Sequence, residues 1–155
     1  MSVDKKIGQL LQKKKKRLAL AESCTGGAIA ARLTGIAGAS GYFLGAIVSY
    51  SDELKQTLLG VSETTLKKHG AVSSEVVLEM LLGLFAKTPC DYGLAISGIA
   101  GPTGGTKTAP IGTLWIAYGD RSEVRIECVM SKEKTRGKII EYAVETSLSL
   151  LMGCL

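Results

Sequence analysis

The chain has 155 residues, a net charge of +5, four cysteines and 5% aromatic residues. That length suits one domain, residues 1–155, with a real core, and no apolar run approaches the ~20 residues of a bilayer span. Cys24, Cys90, Cys128 and Cys154 show no CxxC or Cys/His pairing, which argues against a zinc site and a disulfide framework.

Val3, Ile7, Leu10 and Leu11 give Val3 to Lys16 the spacing of an amphipathic helix. Its basic end, Lys13 to Arg17, suits the helix dipole. It lacks the interleaved aromatics of a nucleic-acid patch, so nucleic acid is not the expected partner. Only a short apolar stretch follows this run before Glu22. That is no signal peptide, and a cytoplasmic protein is the expectation.

Leu18 to Ala21 reads as a short buried strand, and Gly27 to Thr34 as a helix ended by Gly35. Between them, Glu22-Ser23-Cys24-Thr25-Gly26-Gly27 forms a small polar turn where hydroxyls and helix N–H groups converge and an anion is welcome. Its spacing matches neither the phosphate loop nor the dinucleotide fingerprint. Ala39 to Phe43 is a turn or short helical piece. The Ile36–Phe43 segment is compatible equally with a homo-oligomer contact and with core.

Leu44 to Tyr50 alternates as a strand. Ser51 or Asp52 caps the next helix, which carries Leu54, Lys55, Leu58 and Leu59 and stops at Gly60. A short helix runs from Ser62 through Lys67. Ser73-Ser74-Glu75 opens a longer one with Val76, Val77, Met80, Leu81, Leu84 and Phe85 on its apolar face. Tyr92 to Ser97 is near-continuously apolar, a central strand. Gly98 to Gly112 is a Gly/Pro-rich loop. Thr113–Tyr118 and Glu123–Met130 are strands, and Lys134 to Leu151 is the last helix. This order implies a three-layer α/β/α sandwich with a mixed, mainly parallel sheet.

Ligands of such sheets bind beyond the carboxyl ends of the parallel strands. Three strand ends are rich in hydroxyls and glycine: Glu22–Gly27, Ser49–Lys55 and Ser97–Thr106. Together they can form one pocket. A hydroxyl nucleophile there needs a base. His69, the sole histidine, sits in what reads as a helix C-terminus, where it complements the dipole. Lys55, one turn into its helix, is the better base if desolvated, since Ser-Lys pairs are an accepted variant of the catalytic triad. Taken alone, Lys55 also reads as a surface lysine and Ser23 as a helix cap or phosphate ligand. Cys24 competes with Ser23, because a thiolate at a helix N-terminus is activated. If strand geometry persists, the two cannot both face one pocket. Glu22 is an internal anchor or an ion-pair partner.

AESCTGG (Ala21–Gly27), the Tyr50–Lys55 run, HGAVS (His69–Ser73) and SGIAGPTGG (Ser97–Gly105) stand in an order and spacing that resembles the CinA C-terminal domain family. Its characterised members are nicotinamide-nucleotide amidases, which hydrolyse nicotinamide mononucleotide to nicotinate mononucleotide and ammonia. The resemblance implies Ser23 as nucleophile, Lys55 as base and Tyr50 as an assisting or orienting hydroxyl. It implies substrate contacts from Thr25, Gly26 and Gly27 and from the loop carrying Ser97, Gly98, Gly101, Gly104, Gly105 and Thr106. It also implies a phosphate-binding role for Arg136, a small pyridine nucleotide as partner, and no metal or cofactor. Three positions depart from the family pattern. Asp52 replaces the usual Asn and would hold Lys55 charged unless it points away as a cap. Ala109 precedes Pro110 where Lys is frequent, with Lys107 nearby. Ile140 stands at the second of two arginines spaced four apart. A non-catalytic nucleotide-binding or regulatory module on the same fold is the rival reading, and a DNA-associated factor is a third.

Overall fold

A computed structural model describes all of residues 1–155. The elements are α1 (Val3–Lys14), β1 (Leu18–Glu22), α2 (Ala28–Thr34), a 3-10 turn at Ala39–Gly41, β2 (Phe43–Val48), α3 (Asp52–Leu59), α4 (Glu63–His69), α5 (Ser74–Lys87), β3 (Tyr92–Gly98), β4 (Thr113–Asp120), β5 (Val124–Met130) and α6 (Arg136–Met152). The five strands are ordered β2-β1-β3-β4-β5. β1 pairs in parallel with β2 and β3, and β4 runs antiparallel to both β3 and β5. Four strands therefore point one way and β4 alone runs against them. The hairpin at the end of the chain puts antiparallel pairing on one side of the sheet.

Period-two alternation sorts the strand residues between two cores. Leu18, Leu20, Leu94, Ile96, Leu114 and Ile116 face one layer, made by α1, α2 and α6. Ala19, Ala21, Ala95 and Ala117 face the other, made by α3, α4 and α5. The second face is a floor of small side chains, and α5 lies close on it. A Cβ on Gly93 would stand 2.7 Å from Leu81 Cδ1. The crossing of α3 and α5 is tighter still. A Cβ on Gly83 would fall 1.8 Å from the Leu59 carbonyl oxygen.

Helix starts follow the capping signals. Ser51, Ser62, Ser73 and Thr135 each accept the backbone N–H three residues on, an arrangement that contributes about 1 kcal/mol per cap. Ser51, not Asp52, is thus the cap of α3. The basic run lies exposed around the end of α1, where Lys15 takes a left-handed conformation and Lys16 pairs with Asp91 at 2.9 Å. The Ile36–Phe43 segment is divided: Ala39 and Tyr42 are buried in the first core, and Ala37, Gly38, Ser40 and Gly41 are exposed. No helix is long and apolar enough to cross a membrane.

Candidate active site

β1 ends at Glu22, and the chain there turns instead of continuing as a strand. The Ser23 N–H is held by the Ile96 carbonyl at 3.1 Å, which ties the turn to the end of β3. The Glu22 side chain folds forward and is wholly buried. Its carboxylate accepts from Thr25 Oγ1 at 2.6 Å, from the N–H groups of Gly27 and Ile29 at 3.1 Å, and from that of Ala30 at 2.9 Å. Glu22 is therefore the anchor of the turn and caps α2. Gly27, the cap residue by position, has no side chain to do so.

Lys55 comes from the first turn of α3, and it is only 1% exposed despite its charge. Its Nζ lies 2.9 Å from Ser23 Oγ, 2.8 Å from the Ser49 carbonyl oxygen and 3.2 Å from the Tyr50 carbonyl oxygen. Burial holds its pKa below the ordinary lysine value, and the Asp52 carboxylate acts in the opposite direction. Burial is the larger effect, since Asp52 is exposed at the first helical position. As an ammonium, Lys55 donates to both carbonyls and to Ser23 Oγ. A neutral amine has two N–H bonds and one lone pair, so in that form the two N–H bonds go to the carbonyls and the lone pair is left to accept from the Ser23 hydroxyl.

Strand geometry stops at Glu22, so the condition that would set Ser23 and Cys24 on opposite sides is not met, and both line the same cavity. They differ in electrostatics. Burial pushes the Cys24 thiol up to about 12. The Glu22 charge adds to that shift, and Lys55 and Arg136 only partly oppose it. A thiol so placed stays protonated near neutral pH and is a poor nucleophile.

The cavity has a volume of about 270 Å³. Ser97, Gly98, Gly101, Gly104, Tyr50 and Arg136 join Ser23 and Lys55 in its wall. Thr25, Gly26, Gly27, Gly105 and Thr106 do not line it. Thr25 is turned onto Glu22, and Thr106 Oγ1 accepts the Ala109 N–H within its own loop. Lys107 and the exposed His69 also lie outside the wall; His69 Nδ1 is 3.6 Å from Glu75 Oε1. Two wall residues, Ala71 and Val72, carry no polar side chain to announce them. The signal for them was the HGAVS motif, whose turn is tied to the site by Ser97 Oγ donating to the Ala71 carbonyl at 2.7 Å.

The far end of the cavity is cationic. Arg136, the first residue of α6, donates to the Gly101 carbonyl at 2.7 Å and to the Tyr50 hydroxyl at 2.9 Å. The hydroxyl of Tyr50 thus meets Arg136, and it is the carbonyl of Tyr50 that meets Lys55. Ile140, one turn further along α6, is half-buried and adds no charge. No group of three or more His, Cys, Asp or Glu side chains is arranged to hold a metal.

Several backbone N–H groups of the wall reach no acceptor on another residue. Beside the wall, the Gly26 N–H is taken by the Ser23 carbonyl and that of Gly27 by Glu22; within it, that of Ile99 is taken by the Thr113 carbonyl. The N–H groups of Cys24, Ala100 and Gly101 donate to no carbonyl of another residue. The arrangement can therefore activate a hydroxyl, receive developing negative charge on backbone donors, and hold an anion at one end.

The profile of the CinA C-terminal domain matches residues 1–155. The chain belongs to the CinA C-terminal domain family. It is 42% identical over 150 residues to the nicotinamide-nucleotide amidohydrolase PncC of Escherichia coli K12, spanning 94% of this chain and 91% of that protein. It is 46% identical over 137 residues to a CinA-like protein of Thermotoga neapolitana, covering 80% of this chain but 34% of that one. The chain thus spans about a third of that longer CinA-like relative. Among solved structures, the competence/damage inducible protein CihA of Agrobacterium tumefaciens superposes with a TM-score of 0.95 at 33% identity, over 98% of this chain and 93% of its own. A CinA superfamily protein of Escherichia coli gives 0.94 at 29% identity, over 99% of this chain and 88% of its own. In this CinA-family fold, the cavity lies at the carboxyl ends of β1 and β3, where open α/β sheets place their ligands.

Proposed function

We propose that this chain is a nicotinamide-nucleotide amidase that converts nicotinamide mononucleotide to nicotinate mononucleotide and ammonia, with Ser23 as nucleophile and Lys55 as base. The observation that carries the reading is the 2.9 Å contact between a buried lysine amine and a buried serine hydroxyl. The two carbonyls that fix the amine, and the match to a nicotinamide-nucleotide amidohydrolase over nearly the whole of both chains, support it.

In this reading Ser23 Oγ attacks the carboxamide carbon as its proton passes to Lys55 Nζ. The oxyanion of the tetrahedral intermediate is received by free N–H groups among Cys24, Ala100 and Gly101, each good donor being worth ~3–4 kcal/mol. Lys55 then gives its proton to the departing nitrogen, the C–N bond breaks and ammonia leaves. Water attacks the resulting ester, Lys55 takes its proton, and that proton returns to Ser23 Oγ as the carboxylate is released. The phosphate of the nucleotide lies toward Arg136 and the N-terminus of α6. The test is ammonia release from nicotinamide mononucleotide, with Ser23→Ala as control. Release by the wild type and none by the variant is the expected result. No release by the wild type, with the nucleotide still raising the melting temperature, would make the fold a non-catalytic binding module.

A further inference from the structure

We infer that Glu22 is a positioning residue for Ser23, a built-in anion that occupies the N-terminus of α2 and fixes the nucleophile's backbone. This inference rests on the serine-hydrolase reading of the site.

A helix N-terminus beside a nucleophile is usually a place for a substrate anion or an oxyanion. Here that place is already filled. The carboxylate of Glu22 takes the N–H groups of Gly27, Ile29 and Ala30, and Thr25 Oγ1 besides. Four donors converge on one side chain that has no exposure to solvent. The wrap is closed by the left-handed conformations of Gly26 and Gly27, at φ +57° and +99°.

Two consequences follow. The start of α2 offers no free N–H to an incoming phosphate at those three positions, so the anion end of the cavity is the one at Arg136. The second consequence concerns Ser23 itself. Its backbone is caught between a strand-end bond to Ile96 on its own N–H and the clamped side chain of the preceding residue. Ser23 has little freedom to drift from Lys55. A misplacement of ~1 Å in such a pair can cost on the order of a hundredfold in rate.

Glu22→Gln keeps the shape, removes the charge and replaces one acceptor oxygen with an NH2 group that faces N–H donors. Wild type, Glu22→Gln and Ser23→Ala full-length chains would be compared by thermal unfolding and by ammonia release from nicotinamide mononucleotide. The expected result for Glu22→Gln is a folded protein at the assay temperature, KM within about twofold of wild type and kcat lower by about tenfold or more. Glu22→Asp, which restores the charge on a shorter arm, should recover part of that kcat. If Glu22→Gln keeps wild-type kcat, the inference is overturned. It is also overturned if its loss of rate vanishes on cooling in step with the recovery of folded protein, because the residue then serves stability alone. Failure of the hydrolase reading looks different: the wild type releases no ammonia, or Ser23→Ala retains full activity.

Discussion

Lys55 Nζ sits 2.9 Å from Ser23 Oγ, and both residues are buried at the meeting of α3 and the end of β1. A hydrophobic helix face does not call for a lysine there. The side chain crosses into the site because two main-chain carbonyls await its amine.

Ser23→Ala and Lys55→Met should each lower the rate of ammonia release by at least about a thousandfold. Neither should alter the circular dichroism spectrum. Lys55→Met also changes the pH dependence of stability. Folding lowers the Lys55 pKa, so the unfolded chain binds the extra proton between that lowered value and about 10.4. Stability carried by the wild-type lysine is therefore full above that window and is lost as pH falls through the folded value. The methionine variant has no such dependence. Its melting temperature relative to wild type should be highest near neutral pH and should decline as pH approaches 10.4.

The pH profile of kcat/KM should rise on a limb set by the deprotonation of Lys55, at a pH below the ordinary lysine value. Asp52 opposes the effect of burial. Asp52→Asn should move the rising limb to lower pH and leave the plateau unchanged. An unmoved limb would dismiss Asp52 as an influence on Lys55.

Tyr50 presents its carbonyl to Lys55 and its hydroxyl to Arg136. Tyr50→Phe removes only the second contact. It should raise KM by a few-fold and leave kcat close to wild type, and Arg136→Ala should raise KM further, by ~10-fold or more if a charge-assisted bond to phosphate is lost. Steady-state kinetics with the nucleotide and with its dephosphorylated nucleoside separates the two effects. The nucleoside should be nearly indifferent to Arg136→Ala.

Cys24 is buried, with its thiol raised to about 12, and Cys128 is exposed. Iodoacetamide at pH 8 should modify Cys128 and spare Cys24 in the folded protein, as read by mass spectrometry of peptides. Rapid labelling of Cys24 would reopen the thiol as a rival to Ser23.

Gly83→Ala should destabilise the fold by roughly 1–3 kcal/mol, since the added carbon meets main chain and not the flexible end of a side chain. Denaturant unfolding measures it.

Most of the elements were legible because their signals are local. Period-two and helical spacing marked the strands and helices, and serine marked three of the helix starts. The cap of α6, Thr135, lies inside the range Lys134–Leu151 expected for that helix and was not read as a start. The hydroxyl-rich strand ends pointed to one pocket, and Ser23, Tyr50, Lys55 and Ser97 do line one cavity; Arg136, which only the family resemblance singled out, lines it too. What the sequence left open was which atom of each residue is used. Tyr50 contributes a carbonyl to the lysine, and Thr25 turns away onto Glu22. Glu22 could be read either as anchor or ion-pair partner, because nothing in the spacing says that its carboxylate reaches Ala30. Ala71 and Val72 stood inside the HGAVS motif, yet their apolar side chains look like any core residue until the chain is folded around the cavity.

The small side chains of the α5-facing side of the sheet have one more effect. Ala19, Ala21, Ala95 and Ala117 let α5 settle low, and Gly83 lets α3 settle on α5 through Leu59. Lys55 rides on α3. The spacing between Lys55 and Ser23 is thus a thickness, measured out by residues that have no reactive group at all. Enlarging one of them would act on the chemistry from a distance, as a shim acts on a hinge, and second-site substitutions in this layer should tune the rate without touching the cavity.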